Sequence, residues 1–392
     1  MGRRIEDLLR PYLQQITPYV PGKPVEELRR ELDLPADQPI IKLASNENVL
    51  GVSPMALEAL KNAIEDVWLY PEDSCFYVRG AIADYHGISA DHIFVGNGGV
   101  ATLLDLGRVL LDPGDQAIAA SPSFMKYRIV SQWTQSKSSP LTSDDFLAIH
   151  HPEHHHDLAA MGAAITDRTK IVWVCNPNNP TGQMLTGNEI EGLLQVNDNR
   201  TLVVLDEAYA DFVEPGMGYP DSLEYVRAGH HVAILRTMAK IGGIAGLRLG
   251  YLIAPPALVK YLDQIRLTFS VNRLAQEAGI AALRDEAFKA RSRELVWTEK
   301  RYYYERLDQL GWAYKPTQAN FIWIHIGMSS REFSAGLNRR GVIIRPGWIF
   351  EEPEWIRVTF GTRAMNERFF VAAIEVTAEM NATAAVTSSS TS

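Results

Sequence analysis

Cysteine is scarce in this chain: two among 392 residues, Cys75 and Cys175, far apart and in ordinary contexts. A disulfide framework or a thiolate metal cluster needs more, so a reducing compartment is expected. Excess positive charge is lacking as well. The 38 Lys and Arg against 47 Asp and Glu leave a formal net charge of -9, with no basic stripe to meet nucleic-acid phosphates. No apolar run reaches the length of a membrane span. The start, Met1–Arg10, carries basic residues without the apolar core of a secretion signal, and reads as an amphipathic arm. Its Met-Gly pair is not followed by the Ser or Thr that myristoylation favours at the sixth position. There is no internal repeat. What remains is 46% hydrophobic content, enough for a large core in two or three domains, in a chain expected to act on small molecules in the cytoplasm.

Between about residues 90 and 255, short β-branched runs alternate with amphipathic stretches. Ile93–Gly96, Gln116–Ala120, Ile171–Cys175, Leu202–Asp206, Val232–Arg236 and Gly250–Ala254 read as buried strands, with helices such as Val100–Leu111 and Gly187–Val196 between them. That alternation implies crossover units, an α/β fold and a mainly parallel sheet. From Pro255 the texture changes. Helical runs over Ala257–Leu267 and Leu274–Leu310 lead to strand-like Ala319–Ile326, Gly341–Arg345 and Trp355–Gly361. We divide the chain into an arm with part of the small domain (1–60), a large domain (61–270), a small α+β domain (271–380) and a low-complexity tail (381–392) expected to be disordered.

The chemistry gathers where strands end. Lys240 follows an apolar run and leads into Gly242-Gly243 and Gly246-Leu-Arg248-Leu-Gly250. Asp206 closes Leu202-Val-Val-Leu, and Asn179 stands in Asn176-Pro-Asn-Asn179-Pro-Thr-Gly182. An amine, a carboxylate and an amide at strand ends are what a protein needs to hold an aromatic aldehyde cofactor and tune its ring nitrogen. Ligands of parallel sheets collect at those ends. A buried Asp is costly without a cationic or hydrogen-bonding partner. Gly96-Asn-Gly98-Gly99-Val100 joins a strand to a helix, so bare amides and the helix dipole can face an anion.

Taken together, these segments resemble the fold-type-I pyridoxal-phosphate aminotransferases, most closely the histidinol-phosphate aminotransferase family, from Lys42-Leu-Ala-Ser-Asn-Glu-Asn48 to Asn366-Glu-Arg368. The resemblance implies a seven-stranded, mainly parallel sheet between helices, a smaller α+β domain and a homodimer with shared active sites. It implies pyridoxal 5'-phosphate anchored on Lys240, which also serves as the base, and Asp206 against the ring nitrogen. Asn179 and Tyr209 would meet the phenolic oxygen, and Phe124 would stack on the ring. Gly98, Gly99, Val100, Thr237 and Arg248 would hold the phosphate, joined by Tyr70 from the neighbouring subunit. Arg357 would fork onto a substrate carboxylate, as planar bidentate pairing requires. Arg345 would be a second anion contact, Asn48 part of a lid with Asn46 and Glu47, and Asn320 an aid in orienting the substrate-side arginine. The partners implied are an amino donor, first L-histidinol phosphate, and a keto acid such as 2-oxoglutarate. An aromatic amino acid donor, or a pyridoxal-phosphate lyase, decarboxylase or oxidase on the same scaffold, stays open.

The chain departs from the family pattern at several places. Ala239 stands where a serine usually precedes the lysine, and Gly99-Val100-Ala101 is neutral where acidic residues commonly follow. Arg273 replaces a small residue and could touch substrate. The stretch Gly347-Trp-Ile-Phe350 is bulky and aromatic. These changes put the donor in question more than the reaction class. The histidines at 150, 151, 154, 155 and 156 lack the spacing and mixed ligands of a catalytic metal site, and are expected to be a polar loop without a resident metal.

Overall fold

The computed structural model describes residues 3–9, 21–33, 35, 37–135, 142 and 144–390, with the side chains of 135 and 384–390 left aside. Residues 1, 2 and 10 of the amphipathic arm, residues 11–20 after it and the last two residues of the tail fall outside the described residues.

The chain opens with α1 (Val25–Glu31), β1 (Ile41–Lys42), α2 (Pro54–Ala63) and α3 (Phe76–His86) before entering the large sheet. That sheet comprises β2 (Ile93–Gly96), β3 (Gln116–Ser121), β4 (Phe146–His150), β5 (Thr169–Cys175), β6 (Leu202–Asp206), β7 (Val232–Thr237) and β8 (Gly250–Ile253). Its order is β2-β8-β7-β6-β5-β3-β4. β8 alone runs against its neighbours, so the seven strands are mainly parallel, as expected. Helices α4 (Gly99–Leu110), α5 (Lys126–Gln135), α6 (Leu158–Ala163), α7 (Gly187–Asn197) and α8 (Ser222–Arg227) supply the crossovers.

Continuous apolar runs in these strands have a physical cause: both faces are covered. Val172, Val174, Val203, Leu205 and Ile234 pack into one cluster, while Ile171, Trp173, Val204, Ala233 and Leu235 pack into the other. Each fully buried Val, Leu or Ile contributes about 1.5–3 kcal/mol over its exposed state, which fixes the sheet before any polar contact is counted. β4 escaped the sequence reading because its burial alternates at an edge, leaving too short a pattern to register.

Beyond the sheet come α9 (Pro256–Ile265), α10 (Arg273–Arg284) and α11 (Glu286–Leu310). The helical run expected over Leu274–Leu310 breaks at Asp285, whose carboxylate accepts the Phe288 amide and so caps the second helix. Val271, Ala275, Ala278, Ala282 and Leu283 belong to the large-domain cluster, and α10 lies on α2 and α3. The change of domain therefore falls after α10 rather than at 270.

The small domain holds β9 (Tyr314–Lys315), β10 (Phe321–His325), α12 (Ser330–Arg339), β11 (Val342–Ile343), β12 (Arg345–Pro346), β13 (Trp355–Thr359) and α13 (Arg363–Ser390). Four strands form an antiparallel sheet in the order β12-β13-β10-β9. β11 instead pairs in parallel with β1, so the run Gly341–Arg345 serves two sheets and the chain's beginning is tied to its end. The tail expected to be disordered from Asn381 is helical in its backbone through Ser390. Extending a helix already seated by Phe369, Phe370 and Val376 costs little, because nucleation is done.

Candidate active site

Four strands deliver their last residues to one side of the large sheet: Ser121, Cys175, Asp206 and Thr237. Lys240 lies three residues beyond β7, and Gly98 and Gly99 open α4 after β2. Against them stand β12 and β13 of the small domain. A cavity of about 210 Å³ lies between, lined by Gly99, Val100, Phe124, Asn179, Asp206, Tyr209, Thr237, Lys240, Arg248, Arg345 and Arg357. Eleven of the sequence-named positions thus share one space.

Lys240 Nζ donates to the Ser45 carbonyl at 2.9 Å and lies 5.8 Å from the centre of the Tyr209 ring. Burial, reinforced by the Arg357 charge, pushes its ammonium down to about 7. A substantial share of the amine is then uncharged at neutral pH and able to act as nucleophile or base.

Asp206 is buried in the same floor. Its Oδ2 accepts the Tyr127 hydroxyl at 2.8 Å and its Oδ1 accepts the Ala208 amide at 3.2 Å. Burial pushes the carboxyl up to about 6, with those two hydrogen bonds opposing the rise. Tyr209 holds its phenol against Asn46, whose Nδ2 donates to the Tyr209 oxygen at 2.9 Å; burial raises that phenol well above the usual range.

Gly98 sits at φ 82°, and a Cβ there would come within 2.7 Å of the Arg248 guanidinium. Glycine is therefore required on two counts, conformation and contact. Gly99 and Val100 line the cavity, and their amides, in the first turn of α4, have no acceptor within the helix. Arg248 is itself left-handed at φ 64°, which turns its side chain back towards this turn. Thr237 donates its hydroxyl proton to the Leu249 carbonyl at 3.1 Å and accepts the Ala239 amide at 3.1 Å. Its hydroxyl is thus already engaged locally, which bears on the loss of a serine at position 239.

Arg357, on β13, donates to the Asn179 side-chain carbonyl and, at 2.6 Å, to the Ala44 carbonyl. Its strand neighbour in register is Arg345. Two buried guanidinium groups thus stand side by side over the cavity.

Other named residues stand elsewhere. Asn48 is not among the residues lining the cavity: its Nδ2 donates to Ser292 Oγ at 2.9 Å and to the Ile241 carbonyl at 3.3 Å, so the residue expected in a lid is a strut on α11. Asn46 occupies the interior position instead. Its φ of 56° folds the segment inward, and Thr359 Oγ1 accepts its amide at 3.0 Å. Asn and Asp tolerate that region best, and an Asn-Glu-Asn run gives no hint which of its asparagines turns in. Asn320 stays one layer back, donating to the Asn46 carbonyl at 3.2 Å. Tyr70 is 76% exposed, stacked on Phe269 at 4.5 Å and remote from its own cavity. Arg273 lies 3.7 Å from Asp66, outside the cavity lining. Sequence reasoning passed over Tyr127, the Ser45 carbonyl and Cys175; only the aromatic stretch Phe124–Tyr127 carried a signal for the first.

A second cleft of about 480 Å³ shares Phe124 with the first and is lined by Met125, Arg128, Trp348, Phe350 and Glu351. The histidine loop lies beside the small domain: His154 Nε2 is 3.2 Å from Glu352, and its ring meets the Trp355 ring at 4.9 Å.

A family model of class I and II aminotransferases matches residues 38–373. A histidinol-phosphate aminotransferase of Moorella thermoacetica is 45% identical over 364 residues, spanning 93% of this chain and 91% of its own. A second from Carboxydothermus hydrogenoformans is 40% identical over 92% and 97%. Among solved structures, histidinol-phosphate aminotransferase from Sinorhizobium meliloti, in complex with pyridoxal-5'-phosphate, superposes with a TM-score of 0.83 at 23% identity, covering 94% and 97% of the two chains. Aspartate aminotransferase from Thermus thermophilus with maleate gives 0.78 at 22% identity, over 93% and 99%.

Proposed function

The chain belongs to the class I and II aminotransferases and, among them, to the histidinol-phosphate aminotransferase family, and from that premise we propose that it moves the amino group of L-histidinol phosphate to a keto acid such as 2-oxoglutarate. The cofactor of the family is pyridoxal 5'-phosphate, and the residues present fit it. A buried carboxylate, Asp206, suits a protonated ring nitrogen. Bare backbone at Gly98 beside the Arg248 guanidinium suits a phosphate that a Cβ would crowd out. Phe124 offers a flat apolar face, and Asn179 and Tyr209 offer polar groups beside it. When bound, the group supplies an electron sink for the pair left as the donor's α C–H bond breaks.

The chain's own residues do the rest. Lys240 Nζ, with its ammonium near 7, would hold the group at its aldehyde carbon, and its free amine would be the base that takes the donor's α proton and returns it. Arg345 and Arg357 grip the anionic groups of donor and acceptor in turn, holding the C–H bond against the amine and excluding water. The observation that carries this reading is that arginine pair, buried and in register on β12 and β13, over the amine. One anionic site can then serve a phosphate in the first half-reaction and carboxylates in the second.

The second cleft, with Phe124, Trp348 and Phe350 in its walls, favours an aromatic amino acid donor as the competing reading. We test the two with a donor panel against 2-oxoglutarate, with Arg345→Ala beside the parent. Histidinol phosphate as the best donor, lost selectively in the variant, supports the proposal. Phenylalanine or tyrosine as the best donor replaces it, and release of carbon dioxide, ammonia or peroxide without need of a keto acid rejects transamination.

In the same reading the enzyme is a cytoplasmic homodimer with Tyr70 reaching the partner's phosphate. Support comes from an apolar surface that includes Val67, Trp68, Tyr70, Phe76, Tyr77 and Leu267, each more than half exposed. Patches of this kind on a single chain mark protein contacts. Mixing inactive Lys240→Ala with inactive Tyr70→Ala subunits should restore activity if sites are shared.

A further inference from the structure

Tyr127 is fully enclosed behind the cavity wall, at 1% exposed, and it touches two of that wall's parts at once. Its ring stacks on Trp173 with centres 5.3 Å apart and planes 5° from parallel. Its edge meets Phe124 at 5.6 Å and 87°. Its hydroxyl donates to Asp206 Oδ2 at 2.8 Å. We propose that Tyr127 is a positioning residue that fixes the orientation and the charge of Asp206 towards the cofactor's ring nitrogen, while bracing Phe124 against the ring's face. The inference rests on the assignment of Asp206 to that nitrogen.

The direction of the bond follows from where the proton resides. Burial and the neighbouring carboxylate raise the Tyr127 phenol well above its ordinary value, so it stays protonated and can only donate to a carboxylate. Such a bond favours the ionised acid. Other groups facing Asp206 are Cys175 from β5, Glu207 and Tyr209 from its own strand and the turn after it, and Lys240 from beyond β7. None of these donates to its carboxylate: the Cys175 thiol points to the Pro177 carbonyl at 3.5 Å, Glu207 is held by Arg236, and Lys240 donates to Ser45. The Ala208 amide is backbone and cannot vary. Tyr127 is therefore the one side-chain donor on Asp206 among the described residues.

The test uses holoenzyme and reads cofactor retention by equilibrium dialysis, separately from turnover. Y127F removes a single oxygen and leaves the stack on Trp173. Its cofactor dissociation constant should rise roughly tenfold at neutral pH, the size expected for one hydrogen bond to a charged group. In the parent, retention should fail as pH drops through about 6, and Y127F should move that failure to higher pH because Asp206 then holds its proton more tightly. In a D206N background Y127F should change retention little, since the group through which it acts is gone. Unchanged retention and an unchanged pH course in Y127F overturn the proposal. An equal loss in the D206N background also overturns it, because the effect would then be packing alone. If borohydride reduction of the parent labels no peptide containing Lys240, the assignment of the cofactor site fails first, and this inference fails with it.

Discussion

Asp206, Tyr127 and Lys240 hang from one sheet and its first layer of helices, whereas Arg345, Arg357 and Asn46 come from the small domain and from the segment that β1 lays across it. The first set is held by strands buried on both faces. The second meets the first through an apolar seam, where Tyr209, Phe212 and Ile241 join the cluster of Leu43 and Phe321, and through polar contacts: Arg357 to Asn179, Asn46 to Tyr209, and the Ser45 carbonyl to Lys240. One wall belongs to the core of the large sheet, and the other is seated on it by that seam and by hydrogen bonds worth about 0.5–1.5 kcal/mol each. The lesson is a division of labour. The sheet's wall presents the amine and the carboxylate, and the other wall presents the two arginines.

Variants on the two walls should fail differently. The largest effect is expected for Lys240→Ala, which removes anchor and base together: turnover should fall by roughly 10⁴-fold or more, with no borohydride-stable label. Loss of less than about tenfold would place the base elsewhere. On the other wall, Arg357→Lys keeps the charge but loses the planar fork, so kcat/KM should drop roughly 10- to 100-fold, mostly through KM, while cofactor retention stays as in the parent. Cofactor loss in that variant would erase the distinction between the walls.

A smaller effect concerns stability before the cofactor is bound. Lys240 is held near 7 in the folded chain against an ordinary 10.5, so between those values the unfolded chain binds more protons. The destabilisation grows as pH falls from about 10.5 and is complete below about 7. Cofactor-free Lys240→Met should therefore melt above cofactor-free parent at neutral pH, with the gap closing as pH rises towards 10.5. Melting curves across that range check the sign. The smallest effect is expected for Asn48→Ala. It should cost about 1 kcal/mol of stability through the lost contacts to Ser292 and Ile241, with kinetic constants nearly unchanged. A large rise in KM would return Asn48 to the substrate side.

Much of the sheet's wall was legible beforehand, since strand-end residues inherit their place from the fold. Asp206 and Lys240 could be named because an apolar run followed by a polar residue says both what is buried and where the burial stops. Other residues were harder. Asn46 and Asn48 differ only in a backbone angle, and Tyr127 is one aromatic among several on an amphipathic helix whose facing partner lies in a different crossover. Arg345 and Arg357 were each visible, but that they stand side by side is a matter of strand register.

Sequence by itself determined the parallel core, the strand-end chemistry and the family, because these depend on local pattern and on motifs in a fixed order. Tertiary structure alone decided which asparagine turns inward, what holds the buried carboxylate, and how two arginines on neighbouring strands come to line one cavity. Those outcomes depend on contacts between segments far apart in the chain, and no local pattern encodes a distance across a fold.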